Sequence, residues 1–132
     1  MKAESKEKIK KSAFYPILKK LIMTVPGAFA AIFCDEEGEF IEVCVEGEMD
    51  DLDIKTAGAF SAIIVDKLKQ KEGMNLKSVI ISCRNFSIAI YDIKGYVLTI
   101  ILQRRTFSAQ LEASVERAIK DFLNEAGLKE KR

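Results

Sequence analysis

Two seven-residue runs, Ala28–Cys34 and Tyr96–Leu102, are apolar at nearly every position, odd and even alike. A strand sends successive side chains to opposite faces, so a run that does not alternate needs cover on both sides. Each run is far short of the roughly 20 apolar residues that span a bilayer. The chain must therefore place at least two strands inside a sheet, and supply helices to both of its faces.

The rest of the sequence provides those parts. Pro16 suits the opening turn of a helix, and Ile17, Leu18, Leu21, Ile22 and Val25 share one helical face before Pro26-Gly27 stops it. Ala28–Cys34 turns through Asp35-Glu36-Glu37-Gly38 into Phe40–Glu46, where alternation puts Ile41, Val43 and Val45 on one face of an edge strand. Asp50 and Asp51 are capping candidates for a helix from Leu52 to about Lys71, ended by Gly73. Strands at Ser78–Cys83, Phe86–Tyr91 and Tyr96–Leu102 follow, joined through Arg84-Asn85 and by a two-residue turn at Lys94-Gly95. A last helix starts near Ser108, carries Leu111, Val115, Ile119, Phe122 and Leu123 on one face, and closes at Gly127. The order is α-β-β-α-β-β-β-α, an α+β class, with the first and fifth strands central. We expect a charged lead-in at 1–13, one domain over 14–127, and a charged tail at 128–132.

Charge narrows the partners. Lys and Arg number 21 and Asp and Glu 20, a net charge of +1 that gives no general pull toward nucleic acid or anionic lipid. Cys34, Cys44 and Cys83 are an odd number without CxxC spacing, as expected of free buried thiols in a reducing compartment, and a cytoplasmic setting follows.

The element order, with Thr24-Val25-Pro26-Gly27-Ala28-Phe29-Ala30-Ala31 leading into Asp35-Glu36-Glu37-Gly38 and the Ala-rich Thr56-Ala57-Gly58-Ala59-Phe60-Ser61-Ala62, resembles the Roadblock family. The resemblance runs from about Tyr15 to Ala126. It implies a five-stranded antiparallel sheet of order 2-1-5-4-3, Roadblock/profilin-like, with the first and third helices on one face and the second on the other. It also implies a homodimer formed through the second helix and third strand. The function it implies is a scaffold, a dynein light chain, or a regulator of a nucleotide-hydrolysing partner, a small Ras-like GTPase or a motor NTPase.

Intrinsic catalysis is not expected. The chain has no histidine, which removes the commonest general base and metal ligand, and no GxxxxGK[ST] or GxGxxG phosphate loop. All three cysteines fall in apolar strands. The acids at Asp35/Glu36/Glu37 and Asp50/Asp51/Asp53 stand at a turn and a helix start, where acids serve structure. Arg104-Arg105 is an arginine-finger candidate, but solvated loop charge is the simpler reading. No cofactor and no metal are expected.

The second helix says most. From Ala57 to Val65 it holds no charge, and only Ser61 is polar. Ile54, Ala57, Gly58, Ser61, Ile64, Val65 and Leu68 share one broad face, while Ala59, Phe60 and Ile63 project on the other. A surface helix on a sheet should keep its far side polar. The expected dimer interface is Thr56, Ala59, Phe60, Ile63 and Lys67 on this helix, with Val79, Ile81 and Cys83 on the neighbouring strand. A small-ligand sensor domain and a dynein-type light-chain scaffold are the alternatives. The sensor reading rests on helix-covered sheets of the profilin shape, and an apolar pocket would favour it.

Overall fold

The two doubly apolar runs become adjacent central strands. The computed structural model describes residues 12–47, 51–70, 76–84, 86–103 and 109–127. Its elements are α1 (Tyr15–Thr24), β1 (Ala28–Cys34), β2 (Phe40–Val45), α2 (Asp51–Lys69), β3 (Ser78–Ser82), β4 (Ser87–Ile93), β5 (Tyr96–Leu102) and α3 (Ala109–Ala126). The sheet is antiparallel with order β2-β1-β5-β4-β3. β1 and β5 are buried along almost their whole length, and β2 and β3 form the two edges. The expected fold class and order are those observed. Asp50, Gly73, Asn85 and Ser108, read above as caps and turns, lie outside the described residues.

Each face of the sheet has its own core. Ala31 and Phe33 of β1, Ala89, Tyr91 and Ile93 of β4, and Leu98, Ile100 and Leu102 of β5 meet Leu18, Leu21 and Ile22 of α1. Leu111, Val115, Ala118, Phe122 and Leu123 of α3 complete that layer. Phe33 lies at its centre, stacked on Phe122 with ring centroids 4.3 Å apart and on Tyr96 at 5.3 Å. Burying such a side chain contributes about 1.5–3 kcal/mol, so these rings are a main reason the layer holds. On the opposite face Ala30, Ile32, Cys34 and Ile101 pack under Ile54, and Ile90 and Val97 under Ala62 and Val65, so among the described residues α2 alone covers this side.

The turns follow local chemistry. Gly27 at φ +85° takes the left-handed conformation after α1, and its carbonyl accepts the Gln103 N–H at 2.7 Å, which ties the start of β1 to the end of β5. Asp35 accepts the Glu37 and Glu39 N–H groups on one carboxylate oxygen, at 2.9 and 2.8 Å, and so shapes the first hairpin.

β2 departs from simple alternation. The β1–β2 register passes from Phe33↔Glu42 to Cys34↔Phe40, leaving Ile41 as the extra residue of a bulge. Ile41 therefore packs with Cys44 on the α1/α3 side, while Val43 and Val45 pack toward α2. This corrects the expectation that all three share a face. Glu42 turns inward to accept the Ser12 backbone N–H at 2.8 Å and its hydroxyl at 2.7 Å, anchoring the chain just ahead of α1.

Candidate interaction surface

The sequence-predicted surface begins on α2. Ile54, Gly58, Ser61, Ala62 and Val65 are buried against the sheet, and Ser61 returns its hydroxyl proton to the Ala57 carbonyl at 2.8 Å. Thr56, Ala59, Phe60, Ile63 and Lys67 are all exposed, Phe60 at 53% and Ile63 at 55%. At 100° per residue Phe60 lies on the same flank as Ala57 and Ile64, and Ile63 points away from the sheet. The Ala59 flank is the opposite one. There the first hairpin leans on the helix, and a Cβ at Gly38 would come within 3.3 Å of Ala62 Cβ and 3.4 Å of Ala59 Cα. The small size of Ala59 thus serves an intrachain contact, a role the sequence did not reveal.

β3 supplies the second part. It is an edge strand paired only with β4, and Val79 and Ile81 are half-buried on the α2 side. Cys83 lies just beyond the strand, half-buried, and donates its N–H to the Phe86 carbonyl at 2.8 Å, so it is not inside an apolar strand as expected. The sequence reading also missed two exposed side chains, Ile80 at 40% and Phe86 at 39%. Alternation along β3 puts Ile80 on the face opposite Val79, where the α1/α3 layer leaves it open. That parity was the available signal.

Among the described residues, those that could carry chemistry do not assemble into a centre. Burial, with Asp35 alongside, pushes the Cys34 thiol up to about 11, away from the reactive thiolate form. Cys44 is buried on β2, where it is hydrogen-bonded to Tyr15 and raises the tyrosine's pKa. Asp35 is occupied by its turn. Among the described residues, no group of three or more Asp, Glu, Cys or His side chains could hold a metal ion. No helix among them is long and apolar enough to cross a membrane. A cavity between α1 and α3, lined by Leu21, Thr24, Ser114 and Arg117 among others, measures about 10 Å³, and an open cleft lies between Glu36 and Lys94. Arg104 and Arg105 lie outside the described residues.

The sequence matches no known family model and no curated protein. Solved structures do match. A Roadblock/LC7 domain from Streptomyces avermitilis superposes with a TM-score of 0.72 at 13% identity, covering 89% of this chain and 99% of that one. Myxococcus xanthus MglB superposes with a TM-score of 0.76 at 14% identity, covering 90% and 98%. An MglB with tetrameric arrangement gives 0.74 at 11% identity, covering 90% and 94%. With the strand order and helix placement described above, these matches show that the chain has the Roadblock/LC7 fold.

Proposed function

We propose that this chain is a non-catalytic homodimeric adaptor that binds and regulates a nucleotide-hydrolysing partner, a small Ras-like GTPase. The observation that carries the reading is the pair Phe60 and Ile63. Both are more than half exposed on a helix whose other face already fills the core. Solvating two large apolar side chains beside an edge strand is a cost that a partner removes. A second copy is the economical partner, because a twofold axis sets each patch against its own duplicate. Self-association is in keeping with the tetrameric arrangement named for one MglB neighbour. The GTPase comes from the Roadblock resemblance, and the lack of an assembled catalytic centre among the described residues fits a regulator. The sensor alternative wants an apolar pocket; the α1–α3 cavity of about 10 Å³ holds no more than one water, and the larger cleft of about 260 Å³ is open and lined by the charged Asp35, Glu36, Glu37 and Lys94.

Sedimentation at tens of micromolar should show a dimer, and Phe60→Glu/Ile63→Glu should sediment as a folded monomer, since like charges would meet in a dry contact. A purified small Ras-like GTPase encoded beside this gene should then bind the wild type and change its single-turnover hydrolysis rate. A monomeric wild type refutes the dimer, and a dimer without effect on the GTPase refutes the regulatory half.

A further inference from the structure

We propose that residues 1–11, the basic segment that precedes the described part of the chain, dock on the open edge of β2 and run from Glu42 toward the first hairpin. The proposal concerns the edge opposite β3 and does not depend on the homodimer reading.

The first observation is a tether. Glu46 donates its N–H to the Phe29 carbonyl at 2.8 Å, and the Glu39 carbonyl accepts the Asp35 N–H at 3.0 Å. In an antiparallel ladder, pairs that exchange hydrogen bonds alternate with pairs that do not. With the bulge at Ile41, that alternation turns the backbone groups of Phe40, Val43 and Val45 to the side that has no neighbouring strand. Glu42 reaches round to this side. One of its carboxylate oxygens accepts the Val43 N–H at 3.3 Å, and the other accepts the Ser12 N–H and hydroxyl at 2.8 and 2.7 Å. Consecutive Cα atoms are about 3.8 Å apart, so the segment before Ser12 begins beside the open edge.

The second is charge complementarity. From Asp35 to Gly47 the chain holds six acids and neither lysine nor arginine, whereas residues 1–11 hold five lysines and two glutamates, a net charge of +3. Exposed ion pairs are individually weak, but a tethered segment meets its partner at an effective concentration on the order of millimolar. Direction follows from where the acids stand. Glu36, Glu37 and Glu39 are exposed on the hairpin side of Glu42, and Glu46 alone on the other.

The third is an apolar side chain that wants cover. Phe40, 42% exposed, lies two residues from Glu42, about 7 Å along the strand. Ile9 lies three residues before Ser12, about 10 Å at full extension, and so reaches it. An edge covered in this way is closed to a strand from another chain.

A carbodiimide joins a lysine amine to a carboxylate as an amide, itself taking up the water released, and so reads the contact in the full chain. Mapped by mass spectrometry, Lys8 and Lys10 should join Glu37 and Glu39. In a mixture of ¹⁴N- and ¹⁵N-labelled protein, each cross-link should fall within one chain. Hydrogen exchange over residues 39–43 gives an independent measure. Lys8→Glu/Lys10→Glu should exchange there roughly fivefold faster than the wild type, the size expected when two exposed ion pairs are lost. Adding Glu37→Lys/Glu39→Lys should restore the slow exchange; both glutamates are exposed, and circular dichroism checks that the fold is kept. Cross-links that fall on Glu46, or that spread over exposed acids of α3 such as Asp121 and Glu125, overturn the proposal. Cross-links found only between chains assign the edge to another copy's segment and overturn it as well. So does charge reversal that leaves the exchange unchanged.

Discussion

Gly58 of α2 and Cys34 of β1 meet so closely that a Cβ on the glycine would lie 2.6 Å from the Cys34 Sγ, with Ile32 Cγ2 next at 3.4 Å. The glycine is in the body of a helix, where it costs roughly 0.5–1 kcal/mol relative to alanine. Its place is explained by the approach it allows. Among the described residues α2 is the only layer on its face of the sheet, and at Gly58 its backbone settles against the side chains of a central strand.

Gly58→Ala should therefore destabilise the fold despite its better helix propensity, by about 1–3 kcal/mol of overpacking. In a Cys34→Ala background, where the sulfur is gone, the same substitution should cost much less or become favourable. Denaturant titration of the two single variants and the double variant gives the coupling directly. Equal penalties in both backgrounds would show that the contact is not what limits position 58.

Tyr91 offers a pH test. It is 1% exposed, its hydroxyl finds no hydrogen-bond partner among the described residues, and burial pushes its pKa from an ordinary value near 10 up to about 12, with Glu112 and Glu116 adding to the rise. A raised folded-state value means that the neutral form favours the fold. That contribution is complete below the unfolded value and is lost as pH climbs through the folded one. Unfolding free energy of the wild type should fall between about pH 10 and pH 12, and Tyr91→Phe should flatten that part of the curve. Near neutral pH, Tyr91→Phe should be neutral or mildly stabilising, because it removes a buried hydroxyl that has no partner among the described residues.

If the chain accelerates a GTPase, it should do so by rearranging the partner's own catalytic groups. Arg104→Ala/Arg105→Ala should then lower the stimulated kcat by far less than the roughly 10³- to 10⁵-fold expected of an inserted arginine. Single-turnover GTP hydrolysis with saturating variant, checked for intact binding, measures this. A loss within that range would assign the arginine pair a direct role. The chain incubated alone with GTP or ATP should show background hydrolysis only.

How much was legible beforehand can be followed residue by residue. Ala28–Cys34 and Tyr96–Leu102 declared themselves central because strands without alternation have no side left for water, and both are central in the sheet. The helical faces of α1 and α3 were equally plain, from Leu18, Leu21 and Ile22 and from Leu111, Val115, Phe122 and Leu123. On α2, periodicity separated Ile54, Gly58, Ser61 and Val65, which pack inward, from Phe60 and Ile63, which do not. Such patterns are properties of one element and repeat at its own period, so a linear string carries them.

What the tertiary structure decided involves residues far apart in the chain. Ile41 changes face because Phe33 and Cys34 impose a bulge on its pairing. Ala59 owes its small size to Gly38, Gly58 its missing side chain to Cys34, and Ser12 its position to Glu42. The outward direction of the Ser78, Ile80 and Ser82 backbone groups depends on β4 having taken the odd-numbered partners. Hydrophobic period states which side of an element seeks cover, but the identity of the atom that supplies the cover is set only when the elements are packed together.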